Sequence, residues 1–251
     1  MALRRLWGWV VACVALGAAA GCMIEGGGPR QSESLTITRA LNADGVFALK
    51  NTNGRVVVDT WREPRVRIEA EKSAARQLLH DVEVEVSGEG SRVSVDTHLP
   101  HGFFGGNAQV SYHVTVPEGA RLELETVNGA IEVEGVTGNV RARTTNGSLE
   151  VDSTASEVSL RTTNGGIRAE VRSASAGRLE LESVNGSIRL NLPADVRGHF
   201  EAQTVNGGIH TDFPLEVRGK WGPKHLSGEL GTGGGRVTLR TVNGSVHIGR
   251  L

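Results

Sequence analysis

Apolar and polar residues alternate along most of this chain, and an Asn-Gly pair interrupts the alternation at near-regular intervals. The stretch LETVNGAIEVEGVTGNVRARTTNGSLEV (residues 124–151) carries the phrase twice. Seven copies occur: Asn53-Gly54, Asn128-Gly129, Asn146-Gly147, Asn164-Gly165, Asn185-Gly186, Asn206-Gly207 and Asn243-Gly244. Six residues before each Asn stand Phe47, Leu122, Val140, Val158, Leu179, Phe200 and Val237. Four before stand Leu49, Leu124, Ala142, Leu160, Leu181, Ala202 and Leu239; three after stand Val56, Ile131, Leu149, Ile167, Ile188, Ile209 and Val246. Mostly charged and polar residues fill the places between. Period-two alternation on both sides of a turn predicts half-buried strands joined at an Asn-Gly corner. Gly enters φ > 0 freely and Asn tolerates the left-handed region, so positive φ is expected at Gly147 and Gly165.

From Asn128 the copies are spaced by 18, 18, 21, 21 and 37 residues; the last interval reads as two repeats, one without its Asn-Gly. A period near 20 belongs to stacked arrays. Two all-β folds fit. Asn-Gly is a strong hairpin signal, which allows an antiparallel meander or sandwich. The preferred fold is a single-stranded parallel β-helix, a β-solenoid with about 18–21 residues per rung. It is preferred because each column repeats one residue type, and stacking buries a core that one repeat cannot bury alone. The Thr or Ser two before Asn is placed to bond turn backbone or its counterpart one rung away. Charges agree with stacking: Glu123 precedes Arg141, Glu125 precedes Arg143, Glu150 precedes Arg168 and Arg161 precedes Glu182 in successive copies. Such pairs would face each other across the roughly 4.8 Å between neighbouring strands. Arg143 and Arg161 form a like pair in one column.

The first residues follow a different pattern. Residues 1–5 are basic, residues 6–20 are an apolar run too short for a membrane span, and Ala19-Ala20-Gly21-Cys22 closes the run. This resembles the lipobox of bacterial lipoproteins, with Ala19 where Leu is usual. The resemblance implies that residues 1–21 are a signal peptide and that Cys22 is lipidated. An ordinary signal-peptidase site after Ala20 or Gly21 is the alternative. The chain has only Cys13 and Cys22, so the mature protein would keep no thiol for a disulfide, metal or nucleophile. Met23 follows Cys22. Without an Asp there, the sorting convention of two-membrane bacteria points to the outer membrane.

Removal of the leader leaves 25 basic and 28 acidic residues, which is no nucleic-acid footprint. Aromatic content of 4% and 34 glycines suit aliphatic rungs with tight turns. Residues 22–34 read as the lipidated Cys and a flexible tether. Residues 35–251 read as one solenoid domain, irregular over 35–117 and regular over 118–251. Within the irregular part, strands are expected at residues 66–70, 82–86 and 93–97. Ser73 is a plausible N-cap of a short helix ending at His80. The loop at residues 98–107 holds Phe103 and Phe104, and the excursion at residues 219–235 holds Trp221.

The segments NTNGRVVVDTW (residues 51–61), VTVPEGARLELETVNGAIEV (114–133) and TVNGSVHI (241–248), with the T-x-N-G-x-I-x-V series between them, carry a family resemblance. They are similar to the bacterial "putative adhesin" family, domain of unknown function DUF4097, over residues 35–251. The resemblance implies a β-solenoid and a cell-surface or envelope location. It brings no catalytic residues, so none are carried over.

Candidate chemistry is sparse. The eight histidines (His80, His98, His101, His113, His199, His210, His225 and His247) are scattered. His98 and His101 share a loop; His210 and His247 share a repeat column, with the excursion between them. No cofactor or metal motif stands out, and GTGGGR (residues 231–236) lacks the Lys-Ser/Thr of a phosphate loop. Glu132, Glu134, Glu150, Asp152, Arg168 and Glu170 would share one outer face, as carboxylates do in polysaccharide-degrading β-helices. A solvated charged face is the plainer reading. The expected function is a non-enzymatic, adhesin-like envelope lipoprotein that touches the membrane through its lipid and binds an envelope polysaccharide or a protein, not nucleic acid. A polysaccharide-active enzyme and a structural or stress-related envelope component are the alternatives. The Asn column is expected to hold corners, not ligand.

Overall fold

The structure, a computed structural model, describes residues 30–76, 78–99, 108–174, 177–218 and 223–251. The strands in chain order are β1 (Arg30–Lys50), β2 (Val56–Trp61), β3 (Arg65–Ala75), β4 (Glu83–Ser87), β5 (Gly90–His98) and β6 (Gln109–Pro117). The regular part follows as β7 (Arg121–Asn128), β8 (Ile131–Val136), β9 (Val140–Asn146), β10 (Leu149–Ser153), β11 (Glu157–Asn164), β12 (Ile167–Val171), β13 (Arg178–Asn185) and β14 (Ile188–Leu192). The last strands are β15 (Gly198–Asn206), β16 (Ile209–Thr211), β17 (Val217–Arg218), β18 (Lys224–Leu230), β19 (Gly235–Asn243) and β20 (Val246–Arg250).

Each Asn-Gly phrase turns the chain from one sheet into another. Strands leading into the corners form an entry sheet, ordered β4-β5-β1-β7-β9-β11-β13-β19-β15-β18-β17. Strands leaving the corners form an exit sheet, ordered β1-β3-β6-β2-β8-β10-β12-β14-β20-β16. The corner strands are parallel to one another throughout, so the solenoid holds and the meander does not. The long β1 serves both sheets, changing over between Ala40 and Leu41.

The predicted columns pack between the sheets. Leu160, Ile167 and Leu181 are buried, while Arg161, Arg168 and Glu182 point outward. The predicted cross-rung registers Glu123↔Arg141, Glu125↔Arg143, Glu150↔Arg168 and Arg161↔Glu182 all occur. The like pair Arg143↔Arg161 is offset because Arg161 reaches Glu180 at 3.0 Å and Glu182 at 3.2 Å. On β6, burial pushes the Tyr112 phenol up to about 12, and its hydroxyl meets Thr97 Oγ1 of β5 at 2.6 Å, bridging the sheets.

Spatial order departs from chain order at both ends. The β1/β2 rung lies between β5/β6 and β7/β8, and the β19/β20 rung lies between β13/β14 and β15/β16. The outermost rungs are then covered by antiparallel strands: β4 on β5, β3 on β6 and β18 on β15. Such covers blunt the open sheet edges that a bare solenoid end exposes. The exit sheet ends on β16, only 3 residues long, beside the stacked pair Phe200 and Phe213.

Three expectations change. Among its described residues the 37-residue interval contains no parallel rung without its corner; it holds the β17–β18 cover. Arg30–Ser34, expected at the end of the tether, belong to β1, in register with Ala75–Glu71 of β3. Ser73 caps no helix. It continues β3, paired with Ser32 on one side and Gln109 on the other, and only a 3₁₀ turn at Leu79–Asp81 follows.

Candidate functional site: the Asn-Gly edge and its two grooves

The corners stack into one continuous edge. Asn53, Asn128, Asn146, Asn164, Asn185, Asn243 and Asn206 follow one another in space, each Nδ2 donating to the Oδ1 of the Asn before it at 2.7–2.9 Å. Asn53 Nδ2 ends the ladder on the Ala108 carbonyl at 3.0 Å. The backbone runs the opposite way: Gly147 N–H donates to the Asn164 carbonyl and Gly165 N–H to that of Asn185, each at 3.0 Å. The buried hydroxyl two residues before Asn bonds the glycine carbonyl of the neighbouring rung in every copy but that of Thr126, as Thr162 does to Gly147 and Ser183 to Gly165, each at 3.0 Å. In the first rung Asn51 stands in that place and donates to the Val110 carbonyl at 2.8 Å.

The corner glycines are required for a reason other than the expected one. Gly147 and Gly165 do not have positive φ; among the corner glycines only Gly54 does. Instead, a Cβ on Gly165 would collide with the Gly147 carbonyl oxygen, and one on Gly147 with that of Gly129. The same contact recurs at Gly129, Gly186, Gly207 and Gly244. Rungs approach so closely at the corner that no side chain fits between them.

The ladder reads as structural. Asn164→Ala removes two amide bonds worth about 1 kcal/mol each. Its melting temperature is expected a few degrees below the parent's, with ligand binding unchanged. Thermal melts and binding assays on the same preparation check this; parent-like melting with lost binding overturns it.

A groove lies on each side of the edge. The entry-side groove, about 730 Å³, is lined by Arg143, Arg161, Glu182, Arg240, Lys224 and His225, with Val184, Val205 and Val242 exposed beside them. Its cations are mostly engaged: Arg161 with Glu180 and Glu182, and Arg240 within 3.7 and 3.6 Å of Glu182 and Glu201. The exit-side groove, about 480 Å³, has a floor of Ser148, Gly166, Ser187 and Ser245 beside Glu150, Arg168, Arg189, His247 and His210. His210 and His247 stand on adjacent strands, because β20 lies directly against β16. Chain order hid this: the two copies are 37 residues apart with a cover strand between them.

The carboxylates considered for hydrolysis do share the exit face, on β8, β10 and β12. Arginines hold most of them. Arg55 pairs with Glu132, and Arg168 Nε lies 3.8 Å from Glu150. Arg172 grips Asp152 through two nitrogens at 2.9 and 2.6 Å and reaches Glu170 at 3.5 Å. The Arg172 hydrogen bonds lower the Asp152 pKa, the opposite of what a general acid requires. His113 joins three strands, 2.6 Å from Asp59 and 3.4 Å from Glu69. Among the described residues no cluster of three or more His, Cys, Asp or Glu is arranged to hold a metal ion. Likewise, no helix among them is long and apolar enough to cross a membrane. Cys22, His101, Phe103, Phe104 and Trp221 lie outside the described residues.

Two mostly parallel sheets closed along a hydrogen-bonded Asn-Gly edge define a two-sheet β-solenoid. The chain belongs to the family described as Toastrack DUF4097, whose model matches residues 79–249. A "putative cell adhesion protein" from Clostridium sporogenes shares the fold at 11% identity, over 87% of this chain and 100% of that one, with a TM-score of 0.50. A "putative adhesin" from Bacteroides fragilis is 11% identical over 87% of this chain and 97% of that one, with a TM-score of 0.45. No curated protein matches the sequence.

Proposed function

We propose that this protein is a non-enzymatic, exported and lipid-anchored envelope protein that binds an envelope polymer or a protein partner through the surfaces beside its Asn-Gly edge. The observation that carries the reading is the contrast on the exit face. Its candidate catalytic carboxylates are mostly neutralised by arginines, while open grooves flank the corner. The adhesion names of the structural relatives agree with a binding role. Anchoring rests on the Ala-Ala-Gly-Cys motif ending at Cys22 and on Met23 beside it, which favour the outer membrane.

Cys22→Ser is expected to move the protein from the membrane fraction to a soluble one, read by fractionation and immunoblotting. A variant that pellets like the parent refutes the anchor. Binding of the purified soluble domain to isolated envelope fractions tests the surface reading, and an absence of binding to every fraction refutes it.

A further inference from the structure

The exit-side groove carries a row of basic side chains, three of which lack a carboxylate partner among the described residues. Arg168, Arg189, His247 and His210 occupy one column on the four adjacent strands β12, β14, β20 and β16. Like charges directly opposite on neighbouring strands destabilise a sheet. Elsewhere on this protein such contacts are relieved by carboxylates, as at Arg161. Here Arg189, His247 and His210 have no carboxylate partner among the described residues, and Glu150 reaches only Arg168, at 3.8 Å. The next outward positions opposite Arg189 and His247 are Asn191 and Gly249, which bring no negative charge.

The floor supplies hydrogen-bond donors. Ser187 Oγ accepts the Ser245 N–H at 3.2 Å, and Ser245 Oγ accepts the Gly208 N–H at 3.3 Å. Each hydroxyl thus has an oxygen lone pair occupied by backbone and keeps its proton for a ligand. Gly166 leaves the floor low between Ser148 and Ser187. The trough offers O–H, guanidinium and imidazole N–H groups in a line that crosses the strands.

We propose that this trough binds a linear acidic polysaccharide, with Arg189 at its centre and Arg168, His247 and His210 on either side, each facing a carboxylate-bearing sugar. The two guanidinium and two imidazole groups recur at the strand spacing of roughly 4.8 Å. That spacing is close to the advance of one sugar along an extended pyranose chain, so each strand meets one sugar. Among the described residues, no Phe, Tyr or Trp lines the trough. It therefore lacks the stacking platform that single-stranded nucleic acids use, or that a neutral sugar face would need. The entry-side groove is the weaker candidate, because carboxylates already hold Arg161 and Arg240.

The assignment deepens the binding role proposed above and rests on it. The test titrates the soluble domain with polygalacturonate oligomers, dextran and polyphosphate of matched length. Polygalacturonate is expected to bind, with affinity falling as salt rises, and dextran is not. Arg189→Ala is expected to weaken binding about tenfold or more, the worth of a charged hydrogen bond. Arg189→Glu is expected to abolish it, and Arg62→Ala, in the exposed turn after β2, to leave it unchanged. Unchanged melting curves exclude a folding defect in each variant. Equal affinity of Arg189→Ala and parent overturns the trough, as does tighter binding of polyphosphate or dextran. If the parent binds envelope fractions and Arg189→Ala binds them equally, the trough falls and the broader role stands. If polygalacturonate binds but no envelope fraction does, the broader role falls instead.

Discussion

Deletion of residues 235–251 is expected to abolish the cooperative thermal transition. These residues form β19 and β20, which lie inside the stack between β13/β14 and β15/β16. Val237, Leu239, Val246 and Ile248 are fully buried. Burying such a side chain is worth about 1.5–3 kcal/mol, so the four contribute on the order of 6–12 kcal/mol, comparable with a domain's whole stability. The deletion also leaves Leu181 and Leu190 without one neighbour and cuts the ladder between Asn185 and Asn206. Calorimetry and binding of a hydrophobic dye check the result. A truncated chain that still melts cooperatively within a few degrees of the parent would mean that β15/β16 moves up to close the gap.

Gly165→Ala is expected to lower stability by about 3 kcal/mol, because the new methyl meets the Gly147 carbonyl and backbone cannot step aside as a side chain can. Gly166→Ala is the matched comparison. The neighbouring residue gains the same methyl, which finds only the Ser187 carbonyl, at an ordinary 3.4 Å. That substitution is expected to be neutral, or stabilising by about 0.4–1 kcal/mol through the unfolded chain. Paired denaturant titrations decide. Equal effects at the two positions would show that glycine is kept at the corner for backbone freedom and not for close approach.

Much of the site was legible because a repeated sequence reports its own neighbours. The pairing of Arg161 with Glu182 followed from aligning copies on their Asn, and the structure gives that register. The ladder was legible for the same reason: seven Asn in one column must meet if the copies stack in parallel. The conformation of Gly147 and Gly165 was misread, because positive φ is a local property whereas the carbonyl that excludes a Cβ belongs to another rung. The adjacency of His210 and His247 was missed because chain order separates them.

The sequence alone determined the all-β class, the corner positions, the inward columns and the charges that face across rungs. Side-chain alternation has a period of two, and every copy obeys the same frame. Only the tertiary structure decided which copy stacks on which. Copies with the same columns offer nearly interchangeable interfaces: Leu179 and Leu181 of β13 meet Val237 and Leu239 of β19, where Phe200 and Ala202 of β15 hold the same columns. What breaks that degeneracy lies outside the repeat. β18 is a cover that runs antiparallel along β15 and fixes β15/β16 at the end of the stack. The last copy must then enter beside it, which sets two histidines next to two arginines in one trough.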